Sequence, residues 1–156
     1  AYSGDANYVR RSLAFGGSML GIETSVASPA GHHPDPVDLD RIASCGGSVQ
    51  VTDSPHEAVK EADVVYTDVW TSMGQESEKA QRLDAFNGFT VDSSLMAGAG
   101  ANSIFMHCLP AHRGEEVTDD VIEGPQRRVF PQAHNRMHIA LGLLSLITGE
   151  AEKHVQ

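Results

Sequence analysis

Short β-branched runs alternate with longer amphipathic stretches along this chain, the pattern of a parallel sheet covered by helices. Ala1 to Ser3 opens as a strand. The turn Gly4-Asp5-Ala6-Asn7 follows, and Val9, Leu13, Phe15, Met19 and Leu20 mark a helix that stops at Gly21. Ile22 to Ala27 is the next strand. A loop punctuated by Pro and Gly, Ser28 to Pro36, leads to a short helix, Val37 to Ala43, and then to a third strand, Ser48 to Thr52. Ser54-Pro55-x-Glu57 starts a helix running to about Ala62, with Ser54 as cap acceptor and Pro55 at the first helical position, where its missing N–H costs nothing. Val64 to Tyr66 is the short apolar run of a buried central strand.

After the polar loop Thr67 to Gly74, a charged helix spans Gln75 to Phe86, with Glu76, Glu78, Lys79 and Arg82 marking a solvated face. Phe89 to Asp92 and Leu95 to Met96 fit no single element. Ile104 to Leu109 is a strand ended by Pro110; a short helix near Thr118 to Ile122 and the apolar Val129-Phe130-Pro131 lead to a closing helix, about Gln132 to Leu146. The expected fold class is α/β, an open, mostly parallel sheet with helices on both faces, in a single domain.

The length, 156 residues, suits one core and not a typical two-domain enzyme. Lys plus Arg against Asp plus Glu gives 11 − 21 = −10, which argues against nucleic acid or an anionic membrane as partner. Two cysteines, Cys45 and Cys108, make neither a disulfide framework nor a Cys-x-x-Cys zinc site, so a reducing, cytoplasmic location is expected. The longest mainly apolar run, Met137 to Ile147, is too short to cross a bilayer. The first residues show no basic start or apolar signal core, and a chain that opens inside a strand suggests further polypeptide upstream.

In an open parallel sheet, ligands gather at the carboxyl ends of the strands. Three polar clusters fall there: Gly4 to Asn7, Asp68 to Gly74, and His107-Cys108-Leu109-Pro110 with His112 and Arg113. Each also has a plain structural explanation. Gly4 to Asn7 suits a tight turn and helix cap and lacks the G-x-G-x-x-G spacing of a dinucleotide site. Asp68 suits a turn cap, Trp70 a packing role, and Cys108 a small buried apolar residue. His107 and Cys108 point to opposite faces of a strand, which argues against one metal ion held by both, and no metal is expected. His32-His33 and Glu57, Glu61, Glu76 and Glu78 read as solvated groups. Arg136 suits either an ion pair or the gripping of a phosphate or carboxylate.

Asp68-Val69-Trp70-Thr71-Ser72-Met73-Gly74-Gln75-Glu76, then His107-Cys108-Leu109-Pro110, and later Phe130-Pro131 with Asn135-Arg136, resembles the second half of ornithine carbamoyltransferases. The resemblance runs from Tyr2-x-Gly4-Asp5 through the last helix. It implies the amino-acid-binding domain, Rossmann-like in fold, of a two-domain enzyme. The Ser-x-Arg-Thr loop of the carbamoyl-phosphate domain is absent from these residues, so the chain on its own is expected to be inactive. The implied reaction is attack of the ornithine δ-amine on carbamoyl phosphate, giving citrulline and phosphate with no metal or organic cofactor, in a homo-oligomeric full-length enzyme.

Carried onto this sequence, the resemblance makes Asn7, Tyr8, Asp68, Ser72, Met73, His107 and Leu109 substrate-binding residues and Cys108 and Arg136 catalytic ones. Asp68 would pair with the substrate α-ammonium, and Ser72 and Met73 would lie on a closing loop. Cys108 would orient the amine or accept its proton, Leu109 would offer a backbone contact to the carbamoyl group, and Arg136 would stabilise negative charge. Tyr8 stands where the family has a second asparagine, and Gln132 and His134 stand at two positions commonly acidic. A transcarbamylase for another amine, or a non-catalytic amino-acid-binding module, are the alternative readings.

Overall fold

Apolar side chains at every second strand position stack into rows when strands pair in register. In the computed structural model, which describes residues 1–5, 7–72 and 74–149, the strands are β1 (Tyr2–Ser3), β2 (Thr24–Ala27), β3 (Val49–Thr52), β4 (Val64–Thr67) and β5 (Ile104–His107). They form one sheet in the order β3-β2-β1-β4-β5, with every pairing parallel. Tyr2 is in register with Val26 and Tyr66, and Tyr66 with Met106; these residues share one face. Ser3, Ala27, Thr67 and His107 form the adjacent row on the other face.

The helices are α1 (Tyr8–Met19), α2 (Pro36–Ser44), α3 (Pro55–Ala58), α4 (Lys79–Ala85), α5 (Ser93–Ala97), α6 (Asp119–Ile122) and α7 (Val129–Ile147). From β1 the chain winds through α1 and α2 toward one sheet edge, then returns past β1 and winds toward the other. Right-handed crossovers therefore put α1 and α2 on one face and α3, α4 and α5 on the opposite one, while α7, after the last strand, reaches back to Tyr66 on the α1 face through Gln132. Under α1 the Tyr2 and Tyr66 rings stack with centroids 6.0 Å apart, beside Val26, Val9 and Cys108. The opposite face holds the larger core: Ala27, Ala58, Trp70, Phe86 and Phe89, and next to them Val59, Val65, Val91, Leu95, Phe105, Val121 and Val129.

The α/β class, the parallel sheet and the helices on both faces agree with expectation; several boundaries differ for local reasons. β2 starts at Thr24, because Ile22 N–H still bonds the Gly17 carbonyl and closes the end of α1. α3 is a single turn, ended where Glu61 takes a left-handed φ of 59°. The charged stretch splits into a 3₁₀ turn, Glu76–Glu78, and α4. Val91 makes an isolated bridge with Val117, and Leu95 and Met96 belong to α5, capped by Asp92. α7 begins at Val129, with Pro131 in its first turn, where an N–H has no helical acceptor.

Arg82 is a correction to the solvated face expected of its helix. It is buried, with NH1 donating to Asp5 Oδ2 at 2.7 Å and to the Trp70 carbonyl at 3.0 Å, and Nε donating to Glu78 Oε2 at 3.1 Å. One guanidinium thus ties the turn after β1 to the loop after β4. α7 buries only Val129 and leaves Ile139, Leu143 and Leu146 exposed. Among the described residues no helix is long and apolar enough to cross a membrane.

Candidate functional site

The reversal of strand order lies between β1 and β4, and their carboxyl ends open a crevice there. β4 and β5 pair as Thr67↔His107, so the next residue on each strand, Asp68 and Cys108, comes out on the same face and side by side. The Cys108 thiol donates to Asp68 Oδ1 at 2.8 Å, and the Val69 N–H donates to the same oxygen at 2.8 Å. Asn7 reaches the other oxygen: its Nδ2 donates to Asp68 Oδ2 at 2.7 Å. Asn7 is also the N-cap of α1, with Oδ1 accepting from Arg10 N–H at 3.0 Å. The cap fixes the amide orientation, because Oδ1 is committed to the helix and only the NH₂ is left to face the carboxylate. The structural roles weighed for Asn7 and Asp68 are therefore present; Asp68 also lines the crevice, and Asn7 is bonded to it.

Burial pushes the Cys108 thiol up to about 12, and the hydrogen bond to Asp68 and its negative charge add to the rise. Such a thiol is protonated at neutral pH and acts as a hydrogen-bond donor. Tyr66 is pushed up to about 12, mainly by burial, and then by the neighbouring Cys108. Gln132 Nε2 donates to the Tyr66 hydroxyl at 2.8 Å, while its Oε1 accepts from His107 N–H at 3.2 Å. A single amide at the start of α7 therefore spans β4 and β5.

His107 lies on the opposite face from Cys108, as strand alternation requires, and is fully buried. Its Nδ1 accepts from Leu109 N–H at 2.8 Å and its Nε2 pairs with Glu116 Oε1 at 3.2 Å. Both ring nitrogens are occupied, and the ring does not line the crevice. Leu109 has a left-handed φ of 60° and does reach the crevice wall with Cys108.

The crevice has a volume of about 1000 Å³. Asp68, Cys108, Leu109 and Gln132 form its floor; Tyr8 from α1, Ser72 from the loop after β4, Lys79 from α4 and Arg136 from α7 stand around its mouth. Tyr8 is 71% exposed. The Ser72 loop is held from within, Ser72 N–H donating to Gln75 Oε1 at 3.1 Å and Gly74 N–H to Glu76 Oε1 at 3.0 Å. Met73, expected on the same loop, lies outside the described residues. Trp70 packs, stacking on Phe86 with centroids 5.4 Å apart. His32 is less solvated than expected: its ring packs on Phe86, and Nδ1 lies 3.1 Å from Asp5 Oδ1.

Among the described residues one group, His112, Glu115 and Glu116, could offer a metal ion three ligand atoms within 4.8 Å of one another. One oxygen of each carboxylate is engaged, while Glu115 Oε2 and Glu116 Oε2, 3.8 and 3.9 Å from His112 Nδ1, accept no hydrogen bond among the described residues. Lys79 Nζ sits 2.7 Å from Glu115 Oε1, and Glu116 Oε1 accepts from His112 N–H at 2.5 Å and pairs with His107.

A family model described as "Aspartate/ornithine carbamoyltransferase, Asp/Orn binding domain" matches residues 1–147. The chain belongs to this family. It is 54% identical over 155 residues to an ornithine carbamoyltransferase of Acidothermus cellulolyticus, covering 97% of this chain and 50% of that protein. A solved ornithine carbamoyltransferase from Pyrococcus furiosus superposes with a TM-score of 0.86 at 48% identity, covering 93% of this chain and 48% of that one. An anabolic ornithine carbamoyltransferase from Campylobacter jejuni gives 0.88 at 32% identity, over 96% and 50%. The chain spans about half the length of the curated relatives it matches.

In this Asp/Orn-binding domain the fold brings together Asp68, Cys108 and Leu109 at the floor and Tyr8, Ser72 and Arg136 at the mouth, with Asn7 behind them, bonded to Asp68. Sequence reasoning passed over Tyr66, Lys79 and Glu116, and noted Gln132 only as a departure from an acidic position. Lys79 sits in a charged run that looks uniformly solvated, and Glu116 in a loop, where a full burial has no local signal. Tyr66 lines the crevice with Cys108, its ring stacked on that of Tyr2.

Proposed function

We propose that the full-length protein carrying this domain transfers a carbamoyl group from carbamoyl phosphate to the δ-amine of ornithine, giving citrulline and phosphate. One observation carries the reading: the 2.8 Å contact between Cys108 and Asp68 on the floor of a crevice that Arg136 overlooks. A carboxylate and a thiol side by side can hold one diamino acid: Asp68 pairs with the α-ammonium and Cys108 lies beside the δ-amine, two nitrogens five covalent bonds apart.

The δ-amine reacts in its neutral form, its ammonium proton having gone to solvent before the site closes. The Cys108 thiol, protonated at neutral pH, orients the amine and does not accept its proton. The free nitrogen lone pair then attacks the carbamoyl carbon, the bond to the phosphate oxygen breaks, and phosphate leaves with that electron pair and takes up the proton that the attacking nitrogen must lose. Leu109 lines the crevice beside Cys108 and supplies a backbone contact to the carbamoyl group. Arg136 offers a rigid fork of donors to the negative charge that builds on the leaving group. Asn7 and Tyr8 face the amino-acid end, and the loop of Ser72 and Met73 closes over it. The remaining phosphate contacts come from the other half of the full-length protein, which also covers the apolar face of α7; the full-length protein is a cytoplasmic homo-oligomer.

Citrulline formation from ornithine and carbamoyl phosphate by the full-length protein tests this, with Cys108→Ser and Arg136→Ala expected to lower kcat. In calorimetric titrations of the 156-residue chain, ornithine should bind and carbamoyl phosphate should not; tight carbamoyl phosphate binding by this chain alone would overturn the division of labour. Tyr8 favours a second reading, a related amine substrate, because its bulky hydroxyl stands at the mouth in place of an amide. A panel of amino acids compared by kcat/KM separates the two.

A further inference from the structure

The fully buried Glu116 is given no role by the proposed reaction, yet it is joined to the crevice wall through His107. The Leu109 N–H donates to Nδ1 at 2.8 Å, so that nitrogen must be bare and the ring's proton sits on Nε2, facing Glu116 Oε1 at 3.2 Å. Leu109 has a φ of 60°, a conformation that branched and bulky side chains rarely hold without support. With a proton on Nδ1, two N–H groups would face each other and Leu109 would lose its acceptor. Glu116 is itself anchored by the His112 N–H at 2.5 Å, and the His107 backbone by Gln132.

We propose that Glu116 and His107 form a positioning pair: the carboxylate fixes the imidazole tautomer, and the bare Nδ1 holds the left-handed Leu109 turn that presents Cys108 and Leu109 to the crevice. Neither residue touches substrate. The inference rests on the reaction proposed above for its kinetic consequence, and on the geometry alone for the tautomer.

Nitrogen-15 NMR of the ring in the unaltered chain should show His107 protonated on Nε2 and bare on Nδ1. A ring protonated on Nδ1 overturns the proposal whether or not the enzyme makes citrulline. Glu116→Gln introduces an amide that can donate as well as accept, so a Nδ1-protonated fraction should appear; an unchanged tautomer and unchanged kcat would remove Glu116 from the pair.

In the full-length enzyme, His107→Asn places a carbonyl oxygen near the position of Nδ1, whereas His107→Gln preserves reach toward Glu116 and leaves the Leu109 N–H without an acceptor. The glutamine variant should lose kcat on the order of a hundredfold, the cost of about 1 Å of misplacement, with little change in KM for ornithine. The asparagine variant should recover about tenfold of that loss or more. Equal kcat in the two variants, at matched thermal stability, would overturn the proposal. An unaltered full-length enzyme that forms no citrulline would instead refute the proposed reaction, and leave the tautomer result standing.

Discussion

Cys108 donates its thiol hydrogen to Asp68 because β4 and β5 pair as Thr67↔His107 and each strand continues one residue beyond the pairing. The contact makes the thiol a poor nucleophile. At pH 7.5, alkylation of Cys108 should be on the order of a hundredfold or more slower than that of the exposed Cys45, since the thiolate is the reactive form. Asp68→Asn removes the negative charge and should speed labelling of Cys108. Peptide mass spectrometry after timed iodoacetamide treatment reads both, and equal labelling of the two cysteines in the unaltered chain would refute the assignment.

The same groups predict an alkaline loss of stability. Cys108 and Tyr66 are raised from ordinary values of 9.0 and 10.0 to about 12 in the fold. Below pH 9.0 both groups are protonated in the folded and unfolded chains alike, and their contribution is fully present. Between 9.0 and about 12 the unfolded chain releases protons that the folded chain keeps, so stability falls as pH rises. The urea midpoint should decline across that interval, and Cys108→Ala should flatten its onset. A midpoint constant to pH 11.5 would contradict the shifts.

Arg82 holds Asp5 and the Trp70 carbonyl from a buried position. Arg82→Met leaves Asp5 without this partner and should cost about 3–5 kcal/mol in urea unfolding. Because the same side chain ties two crevice loops together, ornithine binding by the folded variant should also weaken. A loss below about 1 kcal/mol would place the pair in the exposed class.

Gly47 packs against α1 so closely that an added Cβ would lie 2.0 Å from Ser18 Oγ and 2.2 Å from its Cβ. Gly47→Ala should destabilise by about 1–3 kcal/mol through overpacking. In the Ser18→Gly background the same change should cost measurably less, since the obstructing atoms are gone. Additive losses in the double variant would show that the two residues do not compete for that space.

α7 presents Ile139 and Leu146 at 71% and 69% exposure, an apolar face left uncovered among the described residues. The 156-residue chain should self-associate at high concentration, and Ile139→Lys with Leu146→Glu should shift it toward monomer in light scattering. A clean monomer before substitution would count against an uncovered contact face.

The sequence by itself determined the α/β class, the order of the strands and of every helix but α5, and the three polar clusters, because local alternation, caps and breakers are written in neighbouring residues. It also marked Asn7, Asp68, Cys108 and Arg136, since their surrounding motifs are specific. Register was decided only in three dimensions. Whether Cys108 lies beside Asp68 or one residue out of step depends on how β4 and β5 slide against each other, and no local pattern encodes that offset. Burial was decided there too: Arg82 and Glu116 sit in charged stretches that look solvated, and become buried because loops from separate parts of the chain fold over them. His107 shows the same division, adjacent in sequence to the site yet turned to the opposite face, where its two nitrogens bind the protein.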